Sequence, residues 1–179
     1  MADILLACGA SAALHKAADL SSKLSQAGHV VRAVLTPRAA ELVSPQLFEA
    51  LTSQPAFVDE FGDTRREGMD HIGLSQWAQV FLVAPATADL IARLALGLGG
   101  DLVTTVALAT PQSVPRLLCP AMNPHMLSAP STTRHLETLQ GDGWRILEPD
   151  AGHMACGVEG KGRLPEPSEI LAAIEDLTP

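Results

Sequence analysis

The stretch ILLACGASAALHKAADLSSKLSQAGHVVRAVL, residues 4–35, contains two apolar segments on either side of a helical pattern. Ile4 to Cys8 and Val30 to Leu35 are almost wholly apolar, without the alternation of a half-exposed strand. Ser11 to Ala27 has helical periodicity and is followed by Gly28, a residue typical of helix ends. Continuous apolar strands on either side of a helix are typical of a parallel sheet that is covered on both faces. The stretch therefore predicts a strand-helix-strand unit of an α/β fold.

The same alternation continues to the end of the chain. Further strands are predicted at Val80 to Ala84, Val114 to Cys119 and Trp144 to Leu147. The remaining helical segments are predicted at Arg38 to Val43, Pro45 to Thr52, Ala86 to Leu96, Leu102 to Ala109, Thr132 to Gln140 and Ser168 to Leu177. The polar segment from Gly62 to Asp70 is predicted to be a loop. The expected architecture is an open, doubly wound, three-layer α/β domain with a parallel sheet, and residues 1–179 are expected to form one domain.

Composition excludes several classes of partner. The 179 residues carry a formal net charge of −8, which disfavours nucleic acid and anionic membranes as main partners. No apolar run approaches the length of a membrane span, and the first residues do not have the pattern of a secretory signal. Cys8, Cys119 and Cys156 are odd in number and far apart, which predicts a reducing cytoplasm, no disulfide framework and no metal site.

Short polar or proline-containing turns follow the predicted strands. They are Gly9-Ala10-Ser11, Thr36-Pro37, Pro85-Ala86-Thr87 and Pro120-Ala121-Met122-Asn123. Ligands of such sheets bind beyond the carboxyl ends of the strands, and amide groups at a helix start can hold a phosphate. Four such turns on one edge favour a phosphate-bearing cofactor, whereas any single turn is explained equally well by helix capping through Ser11 or Thr87. The glycine motifs of dinucleotide and nucleoside-triphosphate sites are absent from the sequence.

A loop from Cys156 to Pro167 places one thiol among several glycines and closes with two prolines. Such a loop can fold over a small molecule and present the thiol as a proton donor. A surface turn with an incidental cysteine explains the same pattern. The loop therefore indicates a substrate cover only in combination with other motifs.

Together with this loop, several other motifs of the sequence resemble those of the flavin-containing cysteine decarboxylases. The resemblance covers nearly the whole chain. The matching segments are His71-Ile72-Gly73-Leu74, Ala84-Pro85-Ala86-Thr87-Ala88-Asp89, Gly100-Asp101-Leu102, Pro120-Ala121-Met122-Asn123 with Met126, and Ala155-Cys156-Gly157 through Gly162-Arg163 to Glu166-Pro167. Lys16 matches a lysine of the family's first turn. The resemblance implies a flavodoxin-like, Rossmann-like domain that binds FMN and assembles as trimers or multiples of trimers, with active sites between subunits.

The resemblance also implies which residues contact FMN. Its phosphate is expected at Gly9, Ala10, Ser11 and Thr36, with Arg38 nearby, and its ribityl chain and ring along Pro85, Ala86, Thr87, Asp101 and Leu102. Ala10 stands where the common family form has glycine, and an alanine there would be strained if the backbone needed a positive φ.

The implied reaction is an oxidative decarboxylation of a cysteine-derived small molecule. Asn123 is expected to bind the substrate carboxylate, His71 to move a proton and Cys156 to protonate the enethiolate. The implied substrate contacts are Ala121, Met122, Met126, Gly157 and Arg163. Each of these residues also has a structural explanation. Asn123 can be part of a tight turn, and His71 can be a surface histidine paired with Asp70. Cys156 can be a buried inert thiol, and Met126 can pack in the core.

Within the family, the Gly-Arg-Leu-Pro-Glu-Pro ending of the loop resembles the members that act on 4'-phosphopantothenoylcysteine in coenzyme A biosynthesis. A synthetase on a separate chain is then expected to supply the substrate. Three alternatives remain: decarboxylation of a peptide C-terminal cysteine, a non-catalytic flavin-binding regulatory subunit, and a flavin prenyltransferase-like protein, which the Pro120–Asn123 turn disfavours.

Overall fold

Strands and helices alternate along the computed structural model, which describes residues 1–61, 69–153 and 157–177. The strands are β1 (Asp3–Cys8), β2 (Val30–Leu35), β3 (Ala56–Phe57), β4 (Val80–Ala86), β5 (Arg116–Pro120), β6 (Arg145–Ile146), β7 (Asp150–His153) and β8 (Glu159–Arg163). The helices are α1 (Leu14–Gln26), α2 (Pro37–Leu42), α3 (Pro45–Thr52), α4 (Asp70–Trp77), α5 (Ala88–Ala95), α6 (Leu102–Ala109), α7 (Pro124–Leu127), α8 (Pro130–Gly141) and α9 (Pro167–Glu175).

A parallel sheet with the strand order β3-β2-β1-β4-β5-β6 forms the middle layer. The order reverses direction at β1, which pairs with β2 on one side and with β4 on the other. In open sheets of this kind the crevice beyond the carboxyl ends of the strands at the reversal is the usual ligand site. The expected doubly wound α/β architecture is therefore confirmed.

Both faces of the sheet are buried, as the apolar strands predict. Ile4, Leu6 and Cys8 of β1 point into one core with α1, α3 and α9, whereas Leu5 and Ala7 point into a second core with α4, α5, α6 and α8. Successive side chains of a strand alternate between the two faces, so a strand in the middle layer needs apolar residues throughout. This explains why the central strands have no polar alternation.

Four elements were not expected from the sequence. They are the two-residue edge strand β3, helices α4 and α7, and the antiparallel hairpin β7-β8. The predicted loop from Gly62 to Asp70 includes the first residue of α4, because the helix begins at Asp70. Residues 62–68 of the predicted loop lie outside the described residues.

The hairpin changes the interpretation of the predicted cover. Residues Glu159–Arg163 form strand β8, which pairs with Asp150–His153. The described part of the cover is therefore a β-hairpin arm and not an irregular loop. In the part of the chain that the structure describes, no helix has the length and apolar character needed to cross a membrane.

Candidate functional site

Two cavities of about 510 Å³ each share the turn that follows β1. Ala10 lines the first cavity, and Ser11 lines the second. The first cavity also includes residues that follow β2 and β4, and the second includes the turn after β5 and part of the β7-β8 hairpin. The carboxyl edge of the sheet thus holds two adjoining sites at the predicted position.

The first cavity lies at the start of three helices. Thr36, Thr87 and Asp101 each line it, and each caps a helix by accepting a hydrogen bond from a backbone N–H group. The amino ends of helices carry partial positive charge, and the exposed Arg38 adds a full charge to the same wall. This arrangement suits the phosphate of a ligand, in agreement with the prediction from the strand-end turns.

An ion-pair network holds two carboxylates on the wall of the first cavity. The Arg93 guanidinium donates to Asp89 Oδ2, with an Nη2–Oδ2 distance of 2.8 Å, and its Nη1 donates to Asp101. The arginine therefore compensates both acidic side chains that face the cavity. Arg93 was not among the predicted site residues, although its spacing of four from Asp89 on a helix was a usable signal.

Gly9 allows the ends of β1 and β4 to meet. Its backbone N–H donates to the Pro85 carbonyl oxygen at 2.9 Å, and a Cβ at this position would lie 2.9 Å from that same oxygen. Gly9, Pro85, Ala86 and Leu102, which were expected to contact FMN, are not among the residues that line the first cavity.

The alanine at the second place of the turn carries no backbone strain. Ser53 is the one non-glycine residue with a positive φ among those that the structure describes, so Ala10 adopts an ordinary conformation. The departure from the family's glycine is therefore compatible with the observed turn. Ser11 accepts a hydrogen bond from the Ala13 N–H group at 3.2 Å, and α1 begins only at Leu14, three residues later than expected.

The second cavity contains Ala121, Met122 and Asn123, the predicted substrate-binding turn. The turn is fixed at both sides, because Ala121 N–H donates to the Ala86 carbonyl oxygen at 2.9 Å and Met122 N–H donates to the Gly162 carbonyl oxygen at 3.0 Å. Asn123 Oδ1 accepts a hydrogen bond from the backbone of α7, which orients its amide. The Met122 hydrogen bond therefore joins the hairpin directly to the Asn123 turn.

Basic residues also line the second cavity. Lys16 Nζ donates to the Leu164 carbonyl oxygen at 3.0 Å and to Glu166 Oε1 at 2.7 Å. The hydrogen bond from Lys16 is the main reason that the pKa of Glu166 lies below its usual value. Arg163 also lines the cavity and donates to Glu166 at 3.4 Å. These contacts join α1 to the base of the hairpin.

Sequence reasoning missed two histidines of this cavity. His15 and His153 were not among the predicted site residues, yet both line the cavity with Lys16 and Arg163. His153 lies three residues before Cys156, and this proximity was the available signal. Lys16 was noticed in the sequence as a match to the family but was not assigned to the site.

The structure separates three predicted residues from the Asn123 turn. His71 is the second residue of α4, contacts Glu60 through Nδ1 and is not among the residues that line either cavity. Met126 lines the first cavity and not the second, and Gly157 is exposed outside both linings. Cys156, the predicted proton donor, lies outside the described residues.

The other two cysteines are not suited to proton transfer. Cys8 and Cys119 are buried in the core of the sheet, and burial raises the pKa of each thiol. Cys8 Sγ donates to the Ala84 carbonyl oxygen at 3.4 Å.

The comparisons with known proteins agree with this arrangement. Residues 1–178 match the Flavoprotein family. The chain is 40% identical over 173 residues to the coenzyme A biosynthesis bifunctional protein CoaBC of Bacillus subtilis, which covers 97% of this chain and 42% of that protein. It is 36% identical to the probable phosphopantothenoylcysteine decarboxylase of Streptococcus mutans, with 97% of both chains covered.

A solved structure provides an independent comparison. A mutant PPC decarboxylase complexed with pantothenoylaminoethenethiol superposes with a TM-score of 0.85 at 29% identity and covers 97% of this chain and 96% of that one. The chain spans about two fifths of the bifunctional relative, 42%, but nearly all of the other two proteins. The matches in sequence and fold extend over both cavities and the hairpin, so the chain belongs to the Flavoprotein family, as do phosphopantothenoylcysteine decarboxylases.

Proposed function

We propose that this chain is an FMN-dependent carboxy-lyase that converts 4'-phosphopantothenoylcysteine to 4'-phosphopantetheine and carbon dioxide. The observation that supports this most strongly is the pair of adjoining cavities on the β1 turn. One has the positive helix ends that suit a cofactor phosphate, and the other has Asn123 together with basic residues. A cofactor and an acidic substrate can therefore lie side by side.

The first cavity fits FMN in size and charge. Its volume of about 510 Å³ lies within the usual range for cofactor sites. Thr36, Arg38 and the start of α2 would hold the phosphate, and Thr87 with Asp101 would border the rest of the cofactor. FMN, when bound, supplies the reversible acceptance and return of a hydride.

The second cavity would bind and orient the substrate. Asn123 would donate a hydrogen bond to the substrate carboxylate that leaves as carbon dioxide. A positively charged group there would stabilise the substrate carboxylate relative to the decarboxylated product, whereas a neutral amide binds the carboxylate without that permanent charge. Lys16 and Arg163 would interact with the anionic remainder of the substrate. Met122 and Ala121 would exclude water from the reacting carbon.

A second copy of the chain would provide His71. The carboxyl end of helix α4 lies near the start of β1, because Gln79 N–H donates to the Asp3 carbonyl oxygen at 2.8 Å. His71 stands at the other end of α4 and therefore lies toward the carboxyl edge of the sheet. It nevertheless stays apart from both cavities of its own chain. This separation favours an assembly in which α4 of one copy completes the site of the next, and we propose for it the trimer, or multiple of trimers, that the family resemblance implies.

Cys156 would protonate the enethiolate once carbon dioxide has left. The proposal leaves this role to Cys156, because the other two thiols are buried in the core. His153, three residues before Cys156 in the sequence, lines the second cavity, which supports this proposal.

The proposed function also implies a cellular compartment and a source of substrate. We infer one flavoprotein domain in the cytoplasm, where buried unpaired thiols are stable. The substrate must come from an amide-forming reaction that joins cysteine to a phosphorylated acid, and we propose a separate synthetase for that step.

Offering two substrates separately tests the proposal. The purified FMN-loaded protein is incubated with phosphopantothenoylcysteine or with a peptide that ends in cysteine, and carbon dioxide and the thiol product are measured by mass spectrometry. We expect turnover of the small molecule. Turnover of the peptide alone would replace the proposed substrate, and turnover of neither by a flavin-loaded protein would favour a regulatory subunit.

A further inference from the structure

A third cavity, of about 390 Å³, lies away from the proposed active site. It is bordered by the end of α5, by α6 and by Arg116 and Trp144, which stand at the amino ends of β5 and β6. The proposed active site lies at the carboxyl ends of the strands, on the opposite edge of the sheet. The third cavity shares Arg93 with the first, and its other lining residues belong to neither cavity of the proposed active site.

Arg116 is the unusual residue of this cavity. It is only 8% exposed, and its Nε has no hydrogen-bond partner among the described residues. Its Nη2 donates to the Thr110 carbonyl oxygen at 2.6 Å, and its Nη1 reaches Gln112 Oε1 only at 3.4 Å. A guanidinium has five N–H donors, so these two contacts satisfy less than half of its capacity.

The charge of Arg116 is compensated only in part. Burial lowers the pKa of Arg116, while the nearby Asp142 acts in the opposite direction. Within residues 1–61, 69–153 and 157–177, no carboxylate oxygen lies within 4 Å of its guanidinium. Arg93, which also lines the cavity, is already bound to Asp89 and Asp101. An incoming anion would remove the cost of this buried charge.

The other walls combine polar side chains, among them Thr104, Gln112 and Asp142, with several apolar ones. Trp144 lies under the Arg116 guanidinium, with 5.7 Å from Cζ to the ring centroid. Leu96, Leu98 and Leu108 are each at least half exposed at the cavity. A ligand with an apolar body would bury these leucines while its charged end meets the arginine.

We propose that the third cavity binds a small carboxylate with an apolar body, anchored by Arg116. A carboxylate matches the planar fork of a guanidinium through two parallel hydrogen bonds, and the leucines and Trp144 provide the surface for an aliphatic chain. The volume is sufficient for a branched acid of six carbons.

Calorimetry on the FMN-loaded protein tests this site with 4-methylpentanoate as the probe. We expect a dissociation constant of about 1 mM or tighter, and at least about tenfold weaker binding of the neutral 4-methylpentanamide. Inorganic phosphate should bind more weakly than the acid because it has no apolar body. Equal binding of the acid and the amide, tighter binding of phosphate, or no binding of the acid would overturn the proposal.

Two variants locate the binding. Arg116→Met keeps an apolar side chain of similar length and should abolish binding of the acid. Because this variant also loses the hydrogen bond to Thr110, Ala107→Leu is the second test: it keeps Arg116 and fills the cavity from α6. Unchanged binding in folded Ala107→Leu would place the ligand elsewhere and contradict the assignment. FMN content and decarboxylation of either variant report separately on the active site.

Discussion

Asn123 is the residue on which the proposed decarboxylation depends most directly. We expect Asn123→Asp to lower decarboxylation by at least about a hundredfold, because a carboxylate replaces a hydrogen-bond donor beside the substrate carboxylate. Aspartate also caps helices, so the start of α7 should be preserved. The measurement is carbon dioxide release by protein that retains its flavin spectrum. Wild-type turnover in this variant would remove Asn123 from the mechanism.

Lys16 acts on the site through the hairpin that it holds. We expect Lys16→Met to raise KM by up to about fivefold, because a partly exposed ion pair contributes up to about 1 kcal/mol. The loss of the contacts to Leu164 and Glu166 would loosen the base of the hairpin. Lys23→Met, which removes an exposed pair with Asp19 on the same helix, is the matched control. An equal effect of both variants would show that only surface charge matters.

The hairpin β7-β8 depends on a glycine at its contact with α7. Gly160 has a φ of 157°, and a Cβ there would lie 2.9 Å from Pro124 Cγ. We expect Gly160→Ala to destabilise the hairpin by about 1–3 kcal/mol and to raise KM, because the arm must move away from the Asn123 turn. Steady-state kinetics and thermal unfolding measure the two effects.

Gly141→Ala provides the control for that substitution. Gly141 lies at the end of α8, and a Cβ there meets no atom within 4 Å. This variant should leave KM unchanged. Unchanged kinetics in Gly160→Ala would mean that the hairpin adjusts without disturbing the catalytic turn.

The elements that sequence reasoning predicted are those with a strong local pattern. β2, α3 and α6 have the predicted bounds, and the central strands are apolar because both faces are buried. β3 has two residues, too few for any periodicity, and the hairpin strands consist largely of glycine and charged residues. Their formation depends on tertiary contacts such as Met122 with Gly162, which no local pattern reveals.

Part of the candidate site was also predictable, because the turns that form it follow strands with a strong local pattern. Turns after strands of a parallel sheet meet at one edge, so Ala10, Thr36 and Thr87 were expected together, and all three line the first cavity. Asp101, which only the family resemblance implied, lines it as well. His153 and Lys16 converge on the second cavity from opposite ends of the chain. That convergence is a property of the whole fold, and the sequence pointed to it only through the family match of Lys16 and the proximity of His153 to Cys156.

Folding stability at the scale of the whole molecule should depend on His29. This side chain is buried, and burial together with the positive amino terminus lowers the pKa of His29 below 6.5. The unfolded chain binds a proton near pH 6.5 that the folded chain resists. Stability is therefore fully present above that pH and falls as the pH decreases below it.

His29→Gln should flatten that dependence. Denaturant unfolding between about pH 7.5 and 5.5 measures it, with His125→Gln as the control because His125 is exposed. A wild-type slope that persists in His29→Gln would assign the pH dependence to another group.

Whether His71 can take part in the reaction depends on how copies of the chain are arranged in the assembly. We expect His71→Ala and Asn123→Asp each to be inactive alone. Coexpression of the two chains with different tags, followed by purification on both tags, yields mixed assemblies. If each site takes His71 from one copy and Asn123 from the next, a trimer that holds both chains has about one intact site in three, and activity should approach that fraction.

Complementation is possible only across a subunit boundary. A site that drew both residues from the same chain would be damaged in every copy of the mixed assembly, so no activity would return. Assemblies that carry both tags but Asn123→Asp in every copy give the background. Recovery above that background would explain why His71 lies apart from both cavities of its own chain while remaining at the same edge of the sheet. Recovery no greater than background would require α4 to move within one chain or would remove His71 from the chemistry.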